Sequence, residues 1–218
     1  AMAGVPCMCI DHVVWVVQSL EEGMKAFEAL TGVAPSIGGK HPGLGTHNAL
    51  VSLGEGCYFE ILARDPSQQE GKPWLGIDVE PKPRLTTFCA RLSSELAGGD
   101  GVSLEEVIDS VGQNANYDAG TVDAMSRKRP DDQVVTWRLA ARSHQHGYAS
   151  LPGGGLIPFL IDWTPNELPH PSEGTPKGCT MVSLRAWHPD PEQVLSVIEA
   201  MGASGCFEAT GEDGWLIG

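Results

Sequence analysis

An internal repeat constrains this chain more than any other feature of its sequence. Three times a strand-like segment runs into a helix that opens on the same kind of cap. The first is IDHVVWVVQ followed by Ser19-Leu20-Glu21-Glu22. The second is LTTFCARL, an insertion, and Ser103-Leu104-Glu105-Glu106. The third is MVSLRAWHP and Asp190-Pro191-Glu192-Gln193. In each, a Ser or Asp stands three residues before a Glu or Gln, the capping-box pattern that satisfies the orphan amides of a helix start. Pro191 falls on the first helical position, where its missing N–H is harmless. The caps lie 84 and then 87 residues apart.

Apolar residues follow each cap at helical spacing: Leu20, Met24, Phe27 and Leu30; Leu104, Val107, Ile108 and Val111; Val194, Val197, Ile198 and Met201. Each helix therefore has one stripe to bury against a sheet. Gly32 ends the first helix. The run Asn48–Leu53, the turn Gly54-Glu55-Gly56 and the run Cys57–Ala63 then read as hairpin-linked strands. The second unit shows the same tail: Gln133–Leu139, a glycine-rich turn at 153–155, and Leu156–Trp163. The third begins alike but stops at Trp215–Gly218, as a half unit or a full one cut short.

Strand, helix and hairpin-linked strands, repeated, predict an α+β fold of βαβββ units with cupped mixed sheets and helices outside. Doubly wound α/β is the alternative, weakened by connections too short for crossover helices. The expected boundaries are 8–63 for the first unit and 85–163 for the second, with its insertion. Residues 64–84 and 164–180, rich in Pro, Gly and charge, are connectors. Residues 181–218 form a third, partial βαβ unit packed on the same domain.

Acidic residues outnumber basic ones by 28 to 14, for a formal charge of −14. The only basic cluster, Arg127-Lys128-Arg129, is short, so nucleic acid is not an expected partner. No basic stretch followed by an apolar run opens the sequence, and no run approaches the ~18 residues of a spanning helix. A soluble, cytoplasmic protein with a small-molecule partner and no membrane is expected. The six cysteines include no CxxC pair and sit mostly in apolar runs, as small hydrophobes; Cys7-x-Cys9 as a soft-metal pair is the minor alternative.

Two polar residues interrupt these strands. By period-2 alternation His12 shares a face with Ile10, Val14 and Val16, and Asp11 shares the other with Val13 and Trp15. A histidine there is either bonded to a backbone carbonyl or ligates something. Glu60 has apolar neighbours on both sides, so it either faces solvent from an edge strand or is compensated by a cation, metal or strong hydrogen bonds. Unpaired in an apolar cup, such a carboxylate suits general-base work. His41, His47 and Asn48 lie in or beside a glycine-rich loop, His41-Pro-Gly-Leu-Gly-Thr-His-Asn48, that allows close approach to a ligand. Arg138 is placed to pair with a substrate carboxylate or with Asp162. His144-Gln-His146 reads as a loop, His170-Pro-Ser as a connector folding over the cup, and His188 as a strand end. No GxSxG, HExxH or dinucleotide GxGxxG is present.

The segments "IDHVVW" with its capped helix, "GGKHPGLGTHNALVSLG", "YFEILA" and "PFLIDW…HPS" resemble the glyoxalase-like branch of the vicinal-oxygen-chelate superfamily over nearly the whole chain. The resemblance implies a divalent metal (Zn, Fe, Mn or Ni) held by residues on the first and last strands of each unit, with a carboxylate moving protons. It makes His12 and Glu60 ligands, Glu60 also the catalytic base, and His47 or Asp162 candidates to complete the set. His41, His47, Asn48, Arg138 and Trp163 would bind substrate. The residue matching His12 in the second unit is Thr86 or Thr87, which is no usual ligand. A metal-assisted lyase, isomerase or dioxygenase is the expected function. The alternatives are a metal-free binding or sequestering protein on the same fold, and a homodimerisation module pairing through the incomplete third unit.

Overall fold

A nine-residue strand, β1 (Met8–Val16), runs through the middle of the molecule and is buried on both faces. A strand rich in Val and Ile suits such a place, because branched side chains pack well on a pleated surface covered from both sides. The computed structural model describes residues 8–68, 75, 77, 82–92, 102–141 and 151–203, and the backbone of 208–210. The first cap forms as the sequence predicts: the Ser19 side chain accepts from the Glu22 amide, and α1 (Leu20–Thr31) ends on Gly32 in the left-handed conformation, φ 75°. Three antiparallel strands follow, β2 (Ser36–His41), β3 (Thr46–Gly54) and β4 (Cys57–Arg64).

The second unit repeats the order with β5 (Arg84–Leu92), α2 (Leu104–Ala115), β6 (Thr121–Lys128), β7 (Val134–Ala141) and β8 (Phe159–Asp162). Here the capping box is complete, with the Ser103 and Glu106 side chains each bonded to the other's amide. The eight strands close into one barrel in the order β1-β4-β3-β2-β6-β7-β8-β5. The third unit, β9 (Arg185–Trp187), α3 (Pro191–Ala200) and β10 (Glu208–Thr210), forms a separate two-stranded parallel sheet.

Where β1 meets β5 the pairing reveals the symmetry of the repeat. Ile10 pairs with Ala90 but His12 with Cys89, so Asp11 is an extra residue on β1. Val14 pairs with Thr87 but Trp15 with Leu85, so Thr86 is an extra residue on β5. The two bulges are images of one another about the Val13–Phe88 pair, which relates Asp11 to Thr86 and His12 to Thr87. The parallel partners of β1 and β5, Val14↔Glu60 and Cys89↔Phe159, then relate Glu60 to Phe159.

Helices cover the barrel from outside. α1 lays Leu20 and Phe27 on Ala49, Val51, Ile61 and Ala63. α2 and α3 bury Val107, Val111, Val194, Val197 and Ile198 with Val13, Phe88 and Leu160. Each such large side chain contributes roughly 1.5–3 kcal/mol on burial. Leu30, expected in the first stripe, is instead 83% exposed. It lies in the last turn of α1, past the sheet surface that the rest of the stripe covers. β2 and β6 were not legible from hydrophobic pattern: β2 is half glycine and lysine, and β6 ends on the polar run Ser126-Arg127-Lys128 with no regular apolar alternation before it.

Candidate functional site in the barrel

The bulge at Asp11 breaks the alternation that would place Asp11 and His12 on opposite faces. Both carboxylate and imidazole turn to the same side, and His12 Nδ1 donates to Asp11 Oδ1 at 2.6 Å. Upstream of the bulge the parity reverses, so Ile10 joins Val13 beneath the helices rather than Val14 and Val16 inside the barrel. Bulges commonly re-aim side chains next to functional sites.

Asp11 is fully buried, and its second oxygen accepts from Trp163 Nε1 at 2.8 Å and His170 Nε2 at 3.1 Å, with Arg91 Nε at 3.5 Å. Burial alone would push its carboxyl up, but the hydrogen bonds and charges of His12 and His170 outweigh it and hold it at about 2. The 164–180 connector does fold over this end of the barrel: Ser172 Oγ, bonded to His170 Nδ1, also accepts from the Gly56 amide. With Nδ1 committed to Asp11, His12 turns Nε2 toward Glu60.

Glu60 lies opposite on β4, buried. Asn48 Nδ2 donates to its Oε1 at 2.5 Å, and Oε2 stands 3.5 Å from His12 Nε2. The gap between these two atoms is one that a proton or a metal ion can bridge. Asn48 also reaches His41 Nε2 at 3.5 Å, while His41 Nδ1 bonds Thr46 Oγ1 at 2.9 Å. Burial lowers His41 to about 4, against the pull of the Glu60 charge, so the ring is neutral near pH 7. Tyr58 stacks on the His12 ring at 4.6 Å, and Phe159 meets it edge-on.

Arg127 enters the same cavity from β6. It is buried; its Nη1 makes a 3.4 Å contact with Asn48 Oδ1, and its Nε has no hydrogen-bond partner among the described residues. Room for it comes from Gly38, where a Cβ would sit 2.3 Å from Asn48 Oδ1 and 2.9 Å from Arg127 Nη1. His12, His41, Asn48, Glu60, Arg127 and Trp137 thus line one small space of about 30 Å³ inside the barrel.

The structure brings His12, Glu60, His41, Asn48 and Trp163 together but not the other expected residues. His47 alternates with Asn48 along β3 and faces away from the interior. Arg138 and Asp162 are cross-strand partners on the outer face, where Arg138 bonds Glu105 at the start of α2 and lies 3.6 Å from Asp162. Neither His47 nor Asp162 therefore completes a ligand set, and Arg138 does not reach the cavity. The symmetry resolves the second unit's counterpart of His12 as Thr87, and Phe159 stands for Glu60. Sequence reasoning missed Arg127 because β6 carries only Met125 as an apolar marker on its inner face. The Pro130-Asp131-Asp132 turn and the strand that the repeat requires before it were the available signals. His144, His146, Cys7 and Cys206 lie outside the described residues.

The donor chemistry admits a divalent ion. Asp11, His12 and Cys89 place ligand atoms within 4.8 Å of one another, a spacing a metal ion can bridge. Asp11 is already satisfied by other donors, and burial pushes the Cys89 thiol far above its ordinary range, against the thiolate a metal needs. His12 Nε2 and Glu60 Oε2 are better placed. A ligand histidine held by a carboxylate at its other nitrogen is the usual support of metal-bound imidazole.

A glyoxalase-like domain family matches residues 10–202. A hypothetical protein from Staphylococcus aureus has a similar structure, at 15% identity, TM-score 0.60, over 89% of this chain and 75% of that one. Methylmalonyl-CoA epimerase from Mycobacterium tuberculosis aligns at 14% identity, TM-score 0.41, over 74% and 91% of the two chains. A mutant 4-hydroxymandelate synthase from Streptomyces coelicolor aligns at 14% identity, TM-score 0.40, over 77% and 51%. No curated protein matches the sequence. No helix among the described residues is long and apolar enough to cross a membrane. With a match over most of its length and a barrel built from two βαβββ halves, the chain belongs to the glyoxalase-like family that its motifs resemble.

Proposed function

We propose that this protein is a small-molecule enzyme that moves a proton at a carbon flanked by oxygens, with Glu60 as the base and His12 and Glu60 as the residues that hold a divalent ion. The apposition of His12 Nε2 and Glu60 Oε2 at 3.5 Å, both buried, carries this reading. Asp11 fixes the His12 ring and its tautomer, so the lone pair points at the reaction space. Asn48 holds Glu60 by Oε1 and so fixes Oε2, the oxygen facing His12, as the carboxylate's free acceptor in the reaction space. Tyr58, Phe159 and Trp137 wall the space from water, which strengthens every electrostatic interaction inside it. A divalent ion of the Zn, Fe, Mn or Ni type would add Lewis-acid polarisation of the substrate oxygens.

The test is metal content of protein purified without chelator, measured on the wild type and on His12→Ala and Glu60→Gln. The expected result is near-stoichiometric metal in the wild type and loss in both variants. Stoichiometric metal that survives both changes sinks the assignment.

A second reading, a metal-free binding or sequestering protein, draws on Thr87 and Phe159 standing where the second unit would supply ligands. It expects a melting temperature indifferent to EDTA and added divalent ions. A fall of several degrees on chelation counts against it.

A further inference from the structure

We propose that Arg127 is the anchor for a substrate carboxylate, so that this site acts on a small organic acid whose carbon next to the carboxylate lies between Arg127 and the His12–Glu60 pair. The inference rests on the reading of Glu60 as base and adds to it the class of molecule the base works on.

A guanidinium is costly to bury unless its donors are matched. Arg127 is 6% exposed, and no carboxylate lies within ion-pair distance of it among the described residues. Among the described residues its hydrogen bond to Asn48 Oδ1 is long, and Nε has no acceptor. Glu60 balances its charge through space but does not bond it, because Glu60 is turned toward Asn48 and His12. The guanidinium is therefore preformed and charged, its Nε unpartnered among the described residues, and Arg127 lines the same space as the base.

The planar Nε–Nη edge of arginine matches a carboxylate bidentately, which a hydroxyl or carbonyl cannot do. Its place is not accidental to the packing. Gly38 is the extra residue of a bulge on β2, and any side chain there would occupy the space that the guanidinium and Asn48 now share. The enclosed volume admits only a few heavy atoms, and the walls beyond the fork are Trp137, Met125 and Leu139. Together these features select a short acid with an apolar or uncharged remainder. On a protein of net charge −14, a desolvated internal cation also supplies the attraction for an anion that the surface lacks.

The test is calorimetric titration of the full chain with acetate, glycolate and pyruvate, and with hydroxyacetone as an uncharged counterpart. The expected result is binding of at least one acid, about tenfold or more tighter than hydroxyacetone. Arg127→Met, which keeps length and removes charge, should erase that preference while metal content set by His12 and Glu60 stays unchanged. Should Arg127→Met not fold, Arg127→Lys keeps the cation without the fork and should bind the acid several-fold more weakly than the wild type. No binding of any of the three acids to the wild type, equal binding of hydroxyacetone, or wild-type acid affinity in the variant overturns the proposal. The two readings fail separately. Glu60→Gln should retain acid binding, so acid binding lost only with Arg127 beside metal content indifferent to Glu60 would leave the anchor standing and remove the metal site.

Discussion

Replacing Gly38 by alanine tests whether the cavity geometry governs both stability and binding. The backbone at Gly38 is outside the left-handed region, so alanine is conformationally acceptable there, and restriction of the unfolded chain would favour it by about 0.4–1 kcal/mol. The added methyl, however, would meet Asn48 Oδ1 at 2.3 Å, Arg127 Nη1 at 2.9 Å and Leu50 Cγ at 3.0 Å. Such overpacking costs about 1–3 kcal/mol. Displacing Asn48 would also release its bond to the Glu60 carboxylate, worth about 1.5–3 kcal/mol. The net expectation is a loss of about 2–5 kcal/mol. Urea unfolding reads it as a lower midpoint at constant slope. The residue responsible can be isolated with a double-mutant cycle. Asn48→Ala should cost at least about 1 kcal/mol less in the Gly38→Ala background than in the wild type, because the bond is already lost there and removing Asn48 relieves the clash. An unchanged midpoint for Gly38→Ala, or strict additivity of the two changes, would refute the reasoning.

Two further outcomes follow from the same structure. Burial depresses His41 from 6.5 to about 4, so between these values the unfolded chain binds the extra proton; this group's contribution, up to about 3 kcal/mol, is complete above pH 6.5 and lost as pH falls toward 4. Stability measured across that window should fall with acid, and His41→Gln should flatten the slope; an identical slope in the variant refutes it. Leu160, fully buried between the barrel and the α2–α3 pair, should cost about 2–5 kcal/mol as Leu160→Ala while leaving metal content unchanged; denaturant unfolding beside metal analysis checks both halves.

The repeat, the three caps and the hairpin glycines are local signals, and they sufficed to predict an α+β fold of βαβββ units, because capping and hydrophobic periodicity act over a few residues. His12 and Glu60 were legible for a related reason: a polar group inside an apolar strand must be compensated wherever the strand goes. What the sequence alone could not decide is which polar groups meet. One extra residue at Asp11 shifts its side chain from the expected outer face to the His12 ring, and no alternation rule reveals a bulge that only pairing with β5 creates. Arg138 looked like the cavity arginine, but register places it outside with Glu105 and Asp162, whereas Arg127, on a strand with little hydrophobic pattern, points in. Local chemistry chose the elements and marked His12, Glu60, His41, Asn48 and Trp163; closure of the barrel, which fixes register to a single residue, brought Asp11 and Arg127 to them and left His47, Arg138 and Asp162 outside.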